Sequence, residues 1–306
     1  MSTASTLTRD GFIQAQDALA SAAEEKAAQR QHAKHKLTAR ERLSLFFDDG
    51  QWHEVGQFIG GSVRAGRVGS AVAAGYGRVQ GRMVAAYAQD FSVLGGTLGK
   101  VEGDKIVDLI DLGIRMRIPI VGIQDSGGAR IQEGVVALAQ YGRIFKKTCE
   151  ASGLVPQISI ILGPCAGGAV YQPALTDFII QTRKAHMFIT GPGVIKQVTG
   201  EEVTQDALGG ADAHMGRPGG IDFVADDDEQ AILIAKKLLS FLPQNNSEEP
   251  PIVDPDDSIE PNEKLREIIP LEGNKGYDIR DIIAEIVDHR DFLEGQAGWA
   301  RNIVVG

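Results

Sequence analysis

Two apolar runs in this chain each end in a cluster of very small residues. Pro119 to Gln124 leads into Asp125-Ser126-Gly127-Gly128-Ala129-Arg130, and Gln157 to Leu162 leads into Gly163-Pro164-Cys165-Ala166-Gly167-Gly168-Ala169. A segment able to form a helix follows each. A strand that ends in small residues and turns into a helix leaves backbone N–H groups that no side chain shields. One such junction is explained by a tight turn or close packing. Two at successive strand-to-helix junctions can aim their donors at one oxygen, the arrangement that stabilises an oxyanion.

Composition removes several function classes. At 306 residues, with 43% hydrophobic and 24% charged residues, the chain has the make-up of a soluble globular protein. No apolar run approaches the roughly 20 residues that span a bilayer. Met1 to Arg9 is polar and lacks a signal core, so a cytoplasmic location is expected. The net charge of −10 argues against a nucleic-acid partner. Cys149 and Cys165 are the only cysteines, too few for a disulfide framework or a four-cysteine zinc site. Cys165, inside the second turn, reads as a small buried spacer rather than a nucleophile. His32 and His35 have no neighbouring ligand cluster, so no metal is expected. They belong to a basic run with Lys26, Arg30, Lys34, Lys36, Arg40 and Arg42. Such a run is ordinarily a solvated helix face, and a polyanionic phosphate is the sharper alternative.

Local patterns place these features on a frame. Thr8 to about Lys34 reads as an exposed helix, and Thr38 with Glu41 as a capping box opening a second. Leu43, Leu45, Phe46 and Phe47 are that helix's apolar content. Val72 to Tyr76 and Met83 to Ala88 read as a hairpin whose turn lies within Arg78 to Arg82, with Gly81 at positive φ. A glycine-rich loop, Phe91 to Gly99, enters a helix to Arg117 with a stripe of Val101, Ile106, Leu109, Ile110, Gly113 and Met116. Helices over Gly134 to Ala151 and Asp228 to Phe241 continue an α/β alternation. Gly191-Pro192 opens a helix, Gly209 to Gly220 reads as a mobile loop, and Pro243 to Pro261 as a linker. Asp278 to Asp288 is helical in pattern. Arg301 to Gly306 reads as a strand just beginning, either cut short or completed by a partner.

Lys36 to Arg42, Asp125 to Gly134, Gly163 to Tyr171 and His186 to Pro192 together resemble the carboxyltransferase β subunit of biotin-dependent acyl-CoA carboxylases, of the propionyl-CoA and acetyl-CoA kinds. The resemblance covers nearly the whole chain. It implies a crotonase-like (ClpP/crotonase) α/β spiral of repeated β-β-α units. It also implies three regions: a helical segment at 1–50, the acyl-CoA-binding core at 51–245, and a linker, helix and start of a second domain at 246–306.

In that family the N-domain holds the acyl-CoA, and the C-domain of another subunit holds carboxybiotin. The partners implied are an acyl-CoA substrate, a biotin carboxylase or biotin carrier subunit, the carboxyltransferase C-terminal domain, and further copies of the chain. Biotin is the implied cofactor, carried on a partner. Amides at Gly127, Gly128, Gly167 and Gly168 would stabilise the enolate, a single donor being commonly worth about 3 kcal/mol in the transition state. Ala129 and Ala166 would border the substrate, Arg40 and its basic neighbours would meet CoA phosphate, and Gly95 and Gly96 would touch adenine or pantetheine. His186 is expected to be structural. Two departures stand out: Gly193 where the family carries an acidic residue, and Asp222 where it carries histidine. A biotin-dependent acyl-CoA decarboxylase uses the same step in reverse, and a CoA-ester binding module without turnover is the remaining alternative.

Overall fold

A computed structural model describes residues 9–60, 69–216, 220–255 and 262–306. Its centre is an eight-stranded sheet that begins antiparallel and continues parallel. Trp52–Glu54 (β1), Val72–Val79 (β2) and Arg82–Gln89 (β3) form the antiparallel part. The β2–β3 turn uses Gln80 and Gly81, both at positive φ (51° and 77°), which matches the twist of a tight hairpin. Asp48 accepts from both turn amides, at 2.9 and 2.8 Å.

Parallel pairing then adds Ile120–Ser126 (β4), Gln157–Ala166 (β5), Phe178–Thr182 (β6) and Phe223–Ala225 (β8), in the order β3-β4-β5-β6-β8. His186–Phe188 (β7) pairs with the far end of β5, at Pro164 to Ala166. Both β4 and β5 are almost wholly buried, which is why they read as unbroken apolar runs rather than alternating ones.

Helices cover both faces. On one lie Lys100–Met116 (α3) and Val135–Ala151 (α4), packed over Ile106, Leu109, Ile110, Tyr141 and Ile144. On the other lie Ala39–Phe46 (α2) and Asp228–Phe241 (α8), over Leu43, Phe46, Ile232 and Leu239. The long Arg9–His32 helix (α1) precedes them. Thr38 caps α2 reciprocally with Glu41, as the sequence pattern requires. Within the two expected stripes, Met116 and Leu45 are exposed. Met116 lies on the last turn of α3, where the chain leaves the helix for β4 through Arg117 in the left-handed conformation (φ 56°).

Two expectations are corrected. Gly209 to Gly216 is not loop: Gln205–Gly209 (α6) and Ala211–Met215 (α7) are short helices, after Pro192–Thr199 (α5). Thr204 caps α6 through Ala207 N at 3.1 Å, so a polar cap outweighs the glycines. Pro218 and Gly219 lie outside the described residues, as do residues 256–261 of the expected linker. The tail forms no strand among the described residues. Val305 makes one bridge to Gly295, and Lys264–Ile268 (α9) and Ile279–Ile286 (α10) precede it.

Candidate active site

The two glycine turns lie side by side at the ends of β4 and β5. The β4–β5 register shifts between Gln124 and Ser126, and Ser126 then pairs with Cys165. Gly128 sits at φ 98°, and a Cβ there would come within 2.7 Å of the Ala166 carbonyl oxygen. Only glycine permits that approach, so the first turn rests on the backbone of the second.

Their amides are not equivalent. Gly127 donates to Gly95 O at 3.0 Å, and Gly128 donates to Ser126 Oγ at 3.1 Å. Both expected donors of the first turn are thus used in holding the turn. In the second turn the parallel pairing of Ala166 with Phe188 commits the Gly167 N–H to Phe188 O, whereas among the described residues Ala129 and Gly168 have backbone N–H groups with no acceptor. The uncovered donors are therefore displaced one or two residues along the first turn, to Ala129, and are reduced in the second to Gly168. Ala129 carries an amide as well as a small side chain, whereas Ala166 lies within β5 and its carbonyl faces Gly128.

The loop at 91–99 is clamped onto the first turn. Leu98 N donates to Gly128 O and Arg130 N to Leu98 O, both at 2.9 Å. Buried Glu102 accepts from Gly99 N and Ala71 N and lies 2.8 Å from Arg130, which also holds Glu133 at 2.9 Å and Thr97 O at 2.7 Å. Gly96 lies so close to the Asp125 carbonyl that a Cβ would reach 2.1 Å from it, whereas Gly95 has open space there. Gly96 is a packing requirement, and Gly95 presents a free surface.

The basic run divides into two groups. Arg42 is fully buried, with Nη1 2.9 Å from Asp125 and Nε 2.8 Å from Asp228, and Lys36 Nζ lies 2.5 Å from Asp125. Burial lowers the Lys36 pKa, with Asp125 offsetting part of the effect. Arg40 is held by Glu54 through two hydrogen bonds (2.7 and 3.0 Å) and by Glu24 at 3.3 Å. Two carboxylates therefore occupy the guanidinium expected to meet phosphate. Arg30 instead reaches Ser92 O at 3.4 Å, and Lys34 and Lys36 each lie 5.4 Å from the centre of the Phe91 ring. These are the cations that face the loop. Sequence reasoning missed this division because Glu24, Glu54 and Asp125 are distant in the chain.

The remaining side chains named from the sequence have partners within the fold. Cys165 is fully buried with Sγ 3.3 Å from Ala169 O, and burial pushes its thiol pKa up, which disfavours a thiolate. His186 pairs with Asp206 at 2.7 Å. Asp222 accepts from Ile179 N and Gln296 Nε2, tying β6 to the tail. No group of three His, Cys, Asp or Glu among the described residues could hold a metal. No helix among them is long and apolar enough to cross a membrane. The rim of the turns is apolar and open: Ile131 (88% exposed), Val135 and Leu138 follow the first turn at helical spacing, and Val194 and Val198 stand on α5.

An α/β fold with paired amide turns beside a clamped loop defines a class that comparison makes specific. The carboxyl transferase domain family matches residues 30–306, and the chain belongs to it. It is 53% identical over 286 residues to the methylmalonyl-CoA carboxyltransferase 12S subunit of Propionibacterium freudenreichii subsp. shermanii, covering 92% of this chain and 55% of that one. It is 50% identical over 288 residues to the methylmalonyl-CoA decarboxylase subunit alpha of Veillonella parvula, covering 92% and 57%. Propionyl-CoA carboxylase chains are also among its relatives. A solved transcarboxylase 12S structure, a hexamer assembly with methylmalonyl-CoA and methylmalonic acid bound, matches with TM-score 0.92 and 50% identity over 97% of this chain and 60% of that one. The fold is thus the crotonase-like fold of the carboxyltransferases. The chain spans little more than half the length of the curated relatives it matches.

Proposed function

We propose that this chain forms the acyl-CoA-binding half of a carboxyltransferase that moves a carboxyl group between biotin and the α carbon of a short acyl-CoA. The observation that carries the reading is the pair of uncovered amides at Ala129 and Gly168, on two turns in backbone contact. Aimed at a thioester oxygen, they stabilise the charge that develops when the α C–H bond breaks. Relatives named for methylmalonyl-CoA support the propionyl-CoA/methylmalonyl-CoA pair over acetyl-CoA. Arg30 and Lys34, rather than Arg40, are the phosphate-facing cations, and the loop around Gly95 receives the pantetheine or adenine.

These amides form one anion site, which fits one carbonyl oxygen; the ureido carbonyl of biotin takes its contacts from a complementary half. Biotin, carried on a partner, supplies the activated carboxyl group and the base that accepts the α-proton. This chain's own part is to bind the ester, polarise its carbonyl and keep the enolate oxygen from water. The apolar rim at Ile131, Val135, Leu138, Val194 and Val198 is the surface the complementary half covers.

Loss of the carboxyl group from methylmalonyl-CoA, dependent on free biotin, tests the reading in the assembled enzyme. Turnover that disappears without biotin is expected, and biotin-independent or absent turnover overturns it. The relative from Veillonella parvula favours a second reading, the decarboxylase subunit, in which the same transfer runs toward biotin. Co-purification with a membrane subunit distinguishes the two.

A further inference from the structure

Tyr141, on α4, touches both turns and is assigned no part by the function above. Its ring lies under Gly168: a Cβ there would stand 3.0 Å from Cδ2 and 3.1 Å from Cε2. Its hydroxyl lies beside Ser126, within reach but outside good hydrogen-bond geometry, and has no other partner among the described residues. The residue is only 5% exposed. Ser126 is itself fully buried, and its Oγ accepts the Gly128 amide at 3.1 Å.

The ring cannot easily move away. It packs 6.0 Å from Phe145, which packs 5.9 Å from Tyr171. The helix beneath is fixed on α3, where Gln140 fills the space over Gly103 and Arg143 pairs with Asp104. A buried hydroxyl without a partner is destabilising, and phenylalanine would avoid that cost. Burial also raises the phenol's pKa, so it remains a neutral donor at working pH.

We propose that Tyr141 is a positioning residue of the transfer site: its ring sets Gly168, and its hydroxyl engages Ser126 as charge develops on the thioester oxygen, keeping the two turns in one register. The inference rests on the carboxyl-transfer reading. A small misplacement of the turns would pull the Ala129 and Gly168 amides off a common oxygen, and misplacements near 1 Å can cost about a hundredfold in rate.

Tyr141→Phe, Ser126→Ala and the double variant test it in the assembled enzyme, through biotin-dependent decarboxylation of methylmalonyl-CoA, calorimetric ester affinity and thermal melting. The expected result for Tyr141→Phe is a fall in kcat of about tenfold or more, KM and affinity within about twofold, and an unchanged or higher melting temperature. The double variant falls no further than the worse single variant, because both act through one contact. A Tyr141→Phe enzyme with wild-type kcat overturns the inference, as does a lower melting temperature accompanied by equal losses in kcat and ester affinity. Failure of the wild-type protein to bind ester or turn over strikes the carboxyl-transfer reading itself.

Discussion

Gly128 and Gly81 both lie at positive φ, yet they do different work. Gly81 has nothing within 4 Å of a built Cβ, whereas Gly128 faces the Ala166 carbonyl at 2.7 Å. Gly81→Ala therefore costs only left-handed strain, about 1 kcal/mol, while Gly128→Ala adds a backbone collision and costs about 3 kcal/mol by denaturant unfolding. Gly128→Ala also separates the turns, so activity falls further than the melt alone accounts for. Lys105 offers a pH test. Burial lowers its pKa to about 8, with Nζ 2.6 Å from Val72 O. Below pH 8 the ammonium is charged in both states and the folded protein bears its desolvation. Between pH 8 and 10.5 the unfolded chain binds more protons, so stability rises with pH. Unfolding measured from pH 7 to 10 will show wild type gaining on Lys105→Met by about 2–3 kcal/mol.

At the scale of elements, the device joining the N-terminal region to the site is the buried set of Lys36, Arg42, Asp125 and Asp228. Asp125 ends β4 immediately before the first turn and holds both Lys36 and Arg42. Asp125→Asn leaves two buried cations short of a partner and costs about 3–5 kcal/mol, read by chemical unfolding. Asp228→Asn costs less, because Arg42 keeps Asp125. The sequence made one kind of element legible. The Thr38–Glu41 box, the Gln80-Gly81 hairpin and the Asp228–Phe241 helix are written in residues a few positions apart, and the structure has all three. It was silent where a partner is distant. Gly127 gives its amide to Gly95, 32 positions away by number, and Arg40 meets Glu54 across another element. No local spacing carries such pairings, so the position of the turns was readable and the identity of their free amides was not. The helices at Gln205–Gly209 and Ala211–Met215 were hidden by glycines, whose low helix propensity was overridden by capping and packing.

At the scale of the molecule, the proposed function rests on a mostly parallel sheet, two backbone turns in contact and an apolar rim. Covering the rim should alter assembly more than chemistry: Val135→Lys with Leu138→Lys is expected to weaken association with the complementary half while leaving CoA-ester affinity within about twofold. Sedimentation and calorimetry on the same sample check both. The most direct test of the central claim follows backbone amides by NMR in the isotope-labelled chain, titrated with propionyl-CoA and separately with CoA. The account predicts downfield proton shifts at Ala129 and Gly168 with the thioester but not with CoA, while Gly127, Gly128 and Gly167, already hydrogen-bonded within the protein, stay in place. Saturable ester binding that leaves those two amides unmoved would contradict it.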